Sequence, residues 1–138
     1  MKKVQVRFNQ HDWHETTPAR MITDRERAVL AFMITRLISG YDELLGQLAA
    51  ACVTMECRHC ASIILTVDQA VTQPSPFAVR VPMMAESKDT DGMSCQLLLH
   101  IVEGYLDELE IWRGDPGPIR ALPDPDSLTI TYLVQSLN

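Results

Sequence analysis

The chain has 138 residues, of which 46% are apolar and 22% charged, and a formal net charge of −6. That length suits one domain over residues 1–138 with a continuous core, and the apolar content excludes a disordered chain. The N-terminus lacks the unbroken apolar stretch of a signal peptide, and no run approaches the ~18 apolar residues of a spanning helix, so a cytoplasmic protein with no membrane association is expected.

Val4, Val6 and Phe8 alternate with Lys3, Gln5 and Arg7, which predicts a strand with one buried face. A polar stretch through Pro18 leads into Thr23-Asp24-Arg25-Glu26. This is a capping box, in which the Thr hydroxyl accepts from the third helical N–H and the Glu carboxylate reaches back to the cap N–H. Leu30, Met33, Ile34 and Leu37 then recur at helical spacing and predict a core-facing stripe, ended by Ser39-Gly40. Val29 and Phe32 lie off that stripe and predict burial on a second side. Asp42 is the expected N-cap of a shorter helix bearing Leu44, Leu45 and Leu48, and the short connection makes the two helices neighbours.

Beyond Cys52 the pattern changes to strand-like runs at Cys52–Glu56, Ser62–Val67, Phe77–Met83, Met93–Val102, Tyr105–Trp112 and Leu128–Val134. Gln73–Pro76 and Ser87–Gly92 read as loops, and connections this short imply antiparallel pairing. The expected fold is α+β, with two N-terminal helices packed on one face of a mainly antiparallel β-sheet. The strongest pairing is a hairpin around Glu103-Gly104, for which a three-residue loop, Glu103 to Tyr105, is expected. That loop puts Leu97, Leu99 and Ile101 on one face with Leu109 and Ile111, and Gln96 and His100 on the other with Glu108 and Glu110.

Four cysteines in a chain without an export signal point to thiols or metal ligands rather than disulfides. Cys57-Arg58-His59-Cys60 pairs two thiols, and His11-Asp12-Trp13-His14 pairs two imidazoles; together His11, His14, Cys57 and Cys60 would satisfy one tetrahedral structural zinc. The first expectation, however, is that the cysteines are unliganded and no cofactor is bound, with the structural zinc as the alternative. Thioredoxin-like redox chemistry is disfavoured because a strand rather than a helix follows the pair. Zinc deaminase chemistry is excluded, since His14 directly precedes Glu15 and Glu56 replaces the proline expected before Cys57. No catalytic residue is assigned. His100 can meet Asp107 or Glu108 across the hairpin, but as a sheet-stabilising pair with no nucleophile nearby. Asp107, Glu108 and Glu110 alternate faces and make no cage of three.

Residues 86 to 126 hold ten acids against Lys88, Arg113 and Arg120, a net of −7. A surface of that sign disfavours nucleic acid and attracts basic proteins. Tyr105 and Trp112 lie among these acids, so Tyr105, Asp107, Glu108, Glu110 and Trp112 are the expected partner-binding residues, with aromatic anchors inside a charged rim.

The segment Glu103-Gly104-Tyr105-Leu106-Asp107-Glu108-Leu109-Glu110-Ile111, followed by Leu122-Pro123-Asp124-Pro125, resembles the closing part of small bacterial uncharacterised and immunity-protein-like families. The resemblance implies a non-catalytic protein-binding module, an immunity or inhibitor protein that neutralises a basic, nuclease-type toxin. The alternative is a small zinc-binding protein or enzyme using Cys57 and Cys60 with His11 and His14.

Overall fold

The computed structural model describes residues 11–115 and 117–137; the strand expected at Val4 to Phe8 lies outside them. In chain order the elements are β1 (Trp13–Arg20), α1 (Asp24–Ile34), α2 (Tyr41–Ala49), β2 (Ala51–Cys57), β3 (Ile63–Val67), β4 (Met83–Lys88), β5 (Ser94–Val102), β6 (Tyr105–Arg113) and β7 (Thr129–Leu133), with a 3-10 turn at Pro125–Ser127. The strands form one sheet in the order β1-β2-β3-β6-β5-β4-β7, and every pairing is antiparallel. The two helices pack against it, giving an α+β fold.

The helix signals act locally. The Thr23 hydroxyl accepts from Glu26 N–H at 3.1 Å and the Glu26 carboxylate accepts from Thr23 N–H at 2.9 Å, so both halves of the capping box form. Leu30, Met33, Ile34 and Leu37 are buried, as is Val29, while Phe32 is half-buried with the Arg36 guanidinium 3.4 Å above its ring. Asp42 is not the cap of α2. That position belongs to Gly40, whose φ of 74° lets the chain turn sharply into a helix beginning at Tyr41.

Leu97, Leu99, Leu109 and Ile111 meet Leu30, Met33, Leu44 and Leu48 in the core. The register runs Ile63, Leu109, Leu99 and Met83 across four adjacent strands as one apolar row. On the opposite face a second row runs Met55, Ile64, Glu108 and His100. Ile64 and Glu108 are buried there, so this face is not a plain solvated surface.

Three sequence expectations are corrected. The polar stretch before Pro18 is strand β1, an edge strand with no fully buried side chain, which therefore carries little apolar alternation. The Phe77–Met83 run is irregular up to Met83, because Pro76 and Pro82 cannot donate to a ladder; the strand runs instead to Lys88, into the expected loop. The β5–β6 loop has two residues rather than three: Val102 pairs with Tyr105, and Glu103 and Gly104 take φ values of 53° and 88°, the left-handed pair of a type I′ turn. A β-bulge then shifts the register between His100–Glu108 and Ile101–Leu106, leaving Asp107 as an extra residue. The bulge restores the face assignment that the longer loop would have given, with Leu99 opposite Leu109 and His100 opposite Glu108.

The turn is held from beneath. Gln47 of α2, fully buried, donates to the carbonyls of Gly104 at 2.9 Å and Gln73 at 2.8 Å, and accepts from Leu106 N–H at 2.8 Å. A Cβ on Gly104 would fall 2.7 Å from Pro74, so only glycine permits this approach.

Candidate metal centre

Cys57 ends β2 and Cys60 lies in the turn to β3, which Cys57 N–H closes by donating to the Ser62 carbonyl at 3.2 Å. Backbone amides converge on both sulfurs: Asp12 N–H at 3.4 Å and His59 N–H at 3.3 Å on Cys57 Sγ, and Ser62 N–H at 3.4 Å on Cys60 Sγ. Amide donors of this kind favour thiolate over thiol. Both cysteines are free, Cys57 buried and Cys60 half-buried. Trp13 pairs with Cys57 across β1 and β2, and Arg58 N–H donates to the Asp12 carbonyl at 3.0 Å. These bonds bring the segment preceding β1, and with it the buried His11, onto the cysteine turn.

His11 Nδ1 lies 3.3 Å from Cys60 Sγ, and Nε2 lies 2.6 Å from a carboxylate oxygen of Glu110. The other Glu110 oxygen is 2.8 Å from His100 Nε2, and His100 Nδ1 accepts from Arg80 Nε at 3.1 Å. Arg80 also reaches Asp107 at 3.4 Å. Burial by itself would push His11 down; hydrogen bonds to Cys60 and Glu110 outweigh it, and the pKa is pushed up to about 11. Burial likewise favours the neutral forms of Glu110 and Cys57. The imidazoles of His100 and His11 nevertheless hold Glu110 well below the usual carboxylate range, and hydrogen bonds from Cys60, from the amides of Asp12 and His59 and from His11 lower the Cys57 thiol. The His11 ring is thus held between the Cys60 sulfur and the Glu110 carboxylate.

One donor atom each from His11, Cys57 and Cys60 lies within 4.8 Å of the others, a cluster capable of coordinating a metal ion. His11, Glu108 and Glu110 form a second group by the same measure, the two acids sharing the face that strand alternation gives them. His14 is not in either group. It sits on β1, where its Nδ1 accepts from Arg58 Nε at 3.2 Å.

Of the other expected site residues, Asp107 and Glu108 are 6% and 2% exposed. Glu110 is engaged by two histidines, and Tyr105 and Trp112 are half-buried, Tyr105 against the core. Sequence reasoning did not connect His100 and Glu110 to His11, although strand alternation had already placed those two on one face.

A cavity of about 510 Å³ adjoins the cluster, with His11 and Cys60 in its wall. Arg113, also in the wall, is fixed by Asp89 at 2.7 Å, Asp91 at 2.9 Å and Asp115 at 2.6 Å.

Among the described residues no helix is long and apolar enough to cross a membrane. No curated protein and no solved structure matches the chain. A family model does match, over a span that includes Cys57, Cys60, His100 and Glu110 and begins after His11. Through that match, over residues 19–123, the chain belongs to the family described as Domain of unknown function (DUF6984).

Proposed function

We propose that the protein is a zinc-binding protein whose ion is held by His11 Nδ1, Cys57 Sγ and Cys60 Sγ. The observation that carries the reading is the convergence of these three donors within 4.8 Å of one another, drawn from segments 49 positions apart in the chain. Tetrahedral zinc, with nitrogen at ~2.0 Å and sulfur at ~2.3 Å, needs donors about 3.5–3.8 Å apart, so only a small closure is required. Two thiolates and one imidazole suit zinc better than magnesium or calcium, which take oxygen ligands. Glu110 behind His11 adds the carboxylate–histidine–metal arrangement that fixes ring orientation and raises ligand basicity. Three protein donors rather than four leave a coordination position for water or a ligand, where the ion would act as a Lewis acid.

Elemental analysis of protein purified without an affinity tag tests this. About one zinc per chain is expected, lost in the Cys57→Ser, Cys60→Ser double variant. A stoichiometry near zero in the unaltered protein removes the reading.

An inhibitor of a basic, nuclease-type toxin is the second reading, supported by the net of −7 over residues 86–126. It draws less support from the side chains, because Asp107 and Glu108 are buried and Glu110 is engaged by His11 and His100. Capture of a basic protein by the metal-free chain, weakened by reversing the exposed Glu103 to Lys, would favour it.

A further inference from the structure

The cavity beside the three donors is amphipathic in a particular way. Trp112 and the buried Ile119 supply its apolar wall. Its charged groups are Asp12, Asp115, Arg58 and Arg113. Arg113 and Asp115 neutralise each other at 2.6 Å, with Asp89 and Asp91 completing the shell around the guanidinium. Arg58 differs. It is exposed, and among the described residues its guanidinium bonds to the His14 ring at 3.2 Å and to no carboxylate. A planar guanidinium with donors to spare is the group best suited to a carboxylate. The nearby Asp12 is exposed at the rim and opposes an anion there only through screened, water-facing charge.

We infer that the cavity is a binding site for a small monocarboxylate with an apolar body, its charged end between Arg58 and the open position of the metal and its body along Trp112 and Ile119. The inference rests on the zinc reading, since His11 and Cys60 are at once metal donors and cavity wall. An apolar wall facing fixed polar groups is a common arrangement in small-molecule sites. A Zn²⁺ ion with two thiolates and one neutral imidazole has no net charge, so selection of an anion over its neutral analogue would fall to Arg58.

Cobalt(II) replaces zinc in such sites and reports on both claims. The Co²⁺-loaded protein should show a thiolate-to-cobalt charge-transfer band, and benzoate should perturb its d–d spectrum in a saturable way. Benzamide, of the same shape without the charge, should bind at least tenfold more weakly. Arg58→Ala should weaken benzoate at least tenfold while leaving the charge-transfer band in place, and Arg58→Lys should recover part of the loss. A normal band that benzoate leaves unmoved, or equal binding of benzoate and benzamide, overturns the carboxylate site alone. Absence of the charge-transfer band overturns the metal reading and this inference with it.

Discussion

His11 Nε2 and a Glu110 carboxylate oxygen stand 2.6 Å apart although 99 positions separate the two residues. The same carboxylate holds His100 at 2.8 Å, so Glu110 is clamped from both sides. With zinc bound as proposed, a group so placed would orient His11 without touching the metal. Glu110→Gln should therefore weaken zinc affinity by about 10–100-fold without abolishing binding, as chelator competition would measure. His14→Ala should leave the affinity unchanged, because His14 faces Arg58 and not the cysteines.

Gln47 gives a test of the fold independent of metal. Gln47→Leu removes the partners of the Leu106 N–H and the Gln73 carbonyl while nearly conserving volume; the Gly104 carbonyl keeps Ser75 N–H at 2.8 Å. Two backbone groups losing their partners should cost about 2–4 kcal/mol in urea unfolding. A loss below about 0.5 kcal/mol, the level of an ordinary surface substitution, would mean that water replaces the side chain.

The core row makes a simpler prediction. Leu99 is fully buried between Leu109 and Met83, so Leu99→Ala should cost about 2–5 kcal/mol, with no effect on metal stoichiometry in the fraction that remains folded.

Glu26 provides the pH dependence. Burial would raise its pKa, but a two-pronged pair with Arg20, at 3.0 and 2.8 Å, and the Thr23 amide lower it from 4.5. A carboxylate depressed in the folded state contributes stability above its unfolded pKa and loses it as pH falls through the folded value. Unfolding free energies of the native protein and Glu26→Gln should thus differ most near neutrality and converge below about pH 4. Gln can still accept from the Thr23 amide, so the helix cap survives and the difference isolates the charge. A gap that stays constant down to pH 3 would contradict the assignment.

Features set by neighbours in sequence were legible: the capping box, the stripe from Leu30 to Leu37, and the faces of the β5–β6 hairpin. Features set by distant partners were not. β1 is an edge strand with no fully buried side chain, so nothing in Trp13–Arg20 alternates clearly. The cysteines and His11 were found from their chemistry, but His14 entered with them on an i, i+3 spacing that shares a face only in a helix. His11 lies before β1 and His14 within it, one residue after Trp13, so that Trp13 pairs with Cys57 while His14 pairs with Glu56 and points to the other face. Glu110 escaped because its role depends on a residue at the other end of the chain.

The irregularity at Asp107 has a bearing on how this hairpin tolerates change. Which side of the sheet Glu110 meets is a matter of parity, the odd or even count of residues between the turn and the site. A chain lacking Asp107 would pair Leu106 with Ile101 and Glu108 with His100 in unbroken succession, so the histidines would still find their carboxylate, in a less strongly twisted ribbon. A residue inserted between Tyr105 and Asp107, with the two-residue turn and the bulge kept, would instead carry Glu110 to the helix side and Leu109 to the outer face, exchanging the acid that holds two histidines for a leucine in one step.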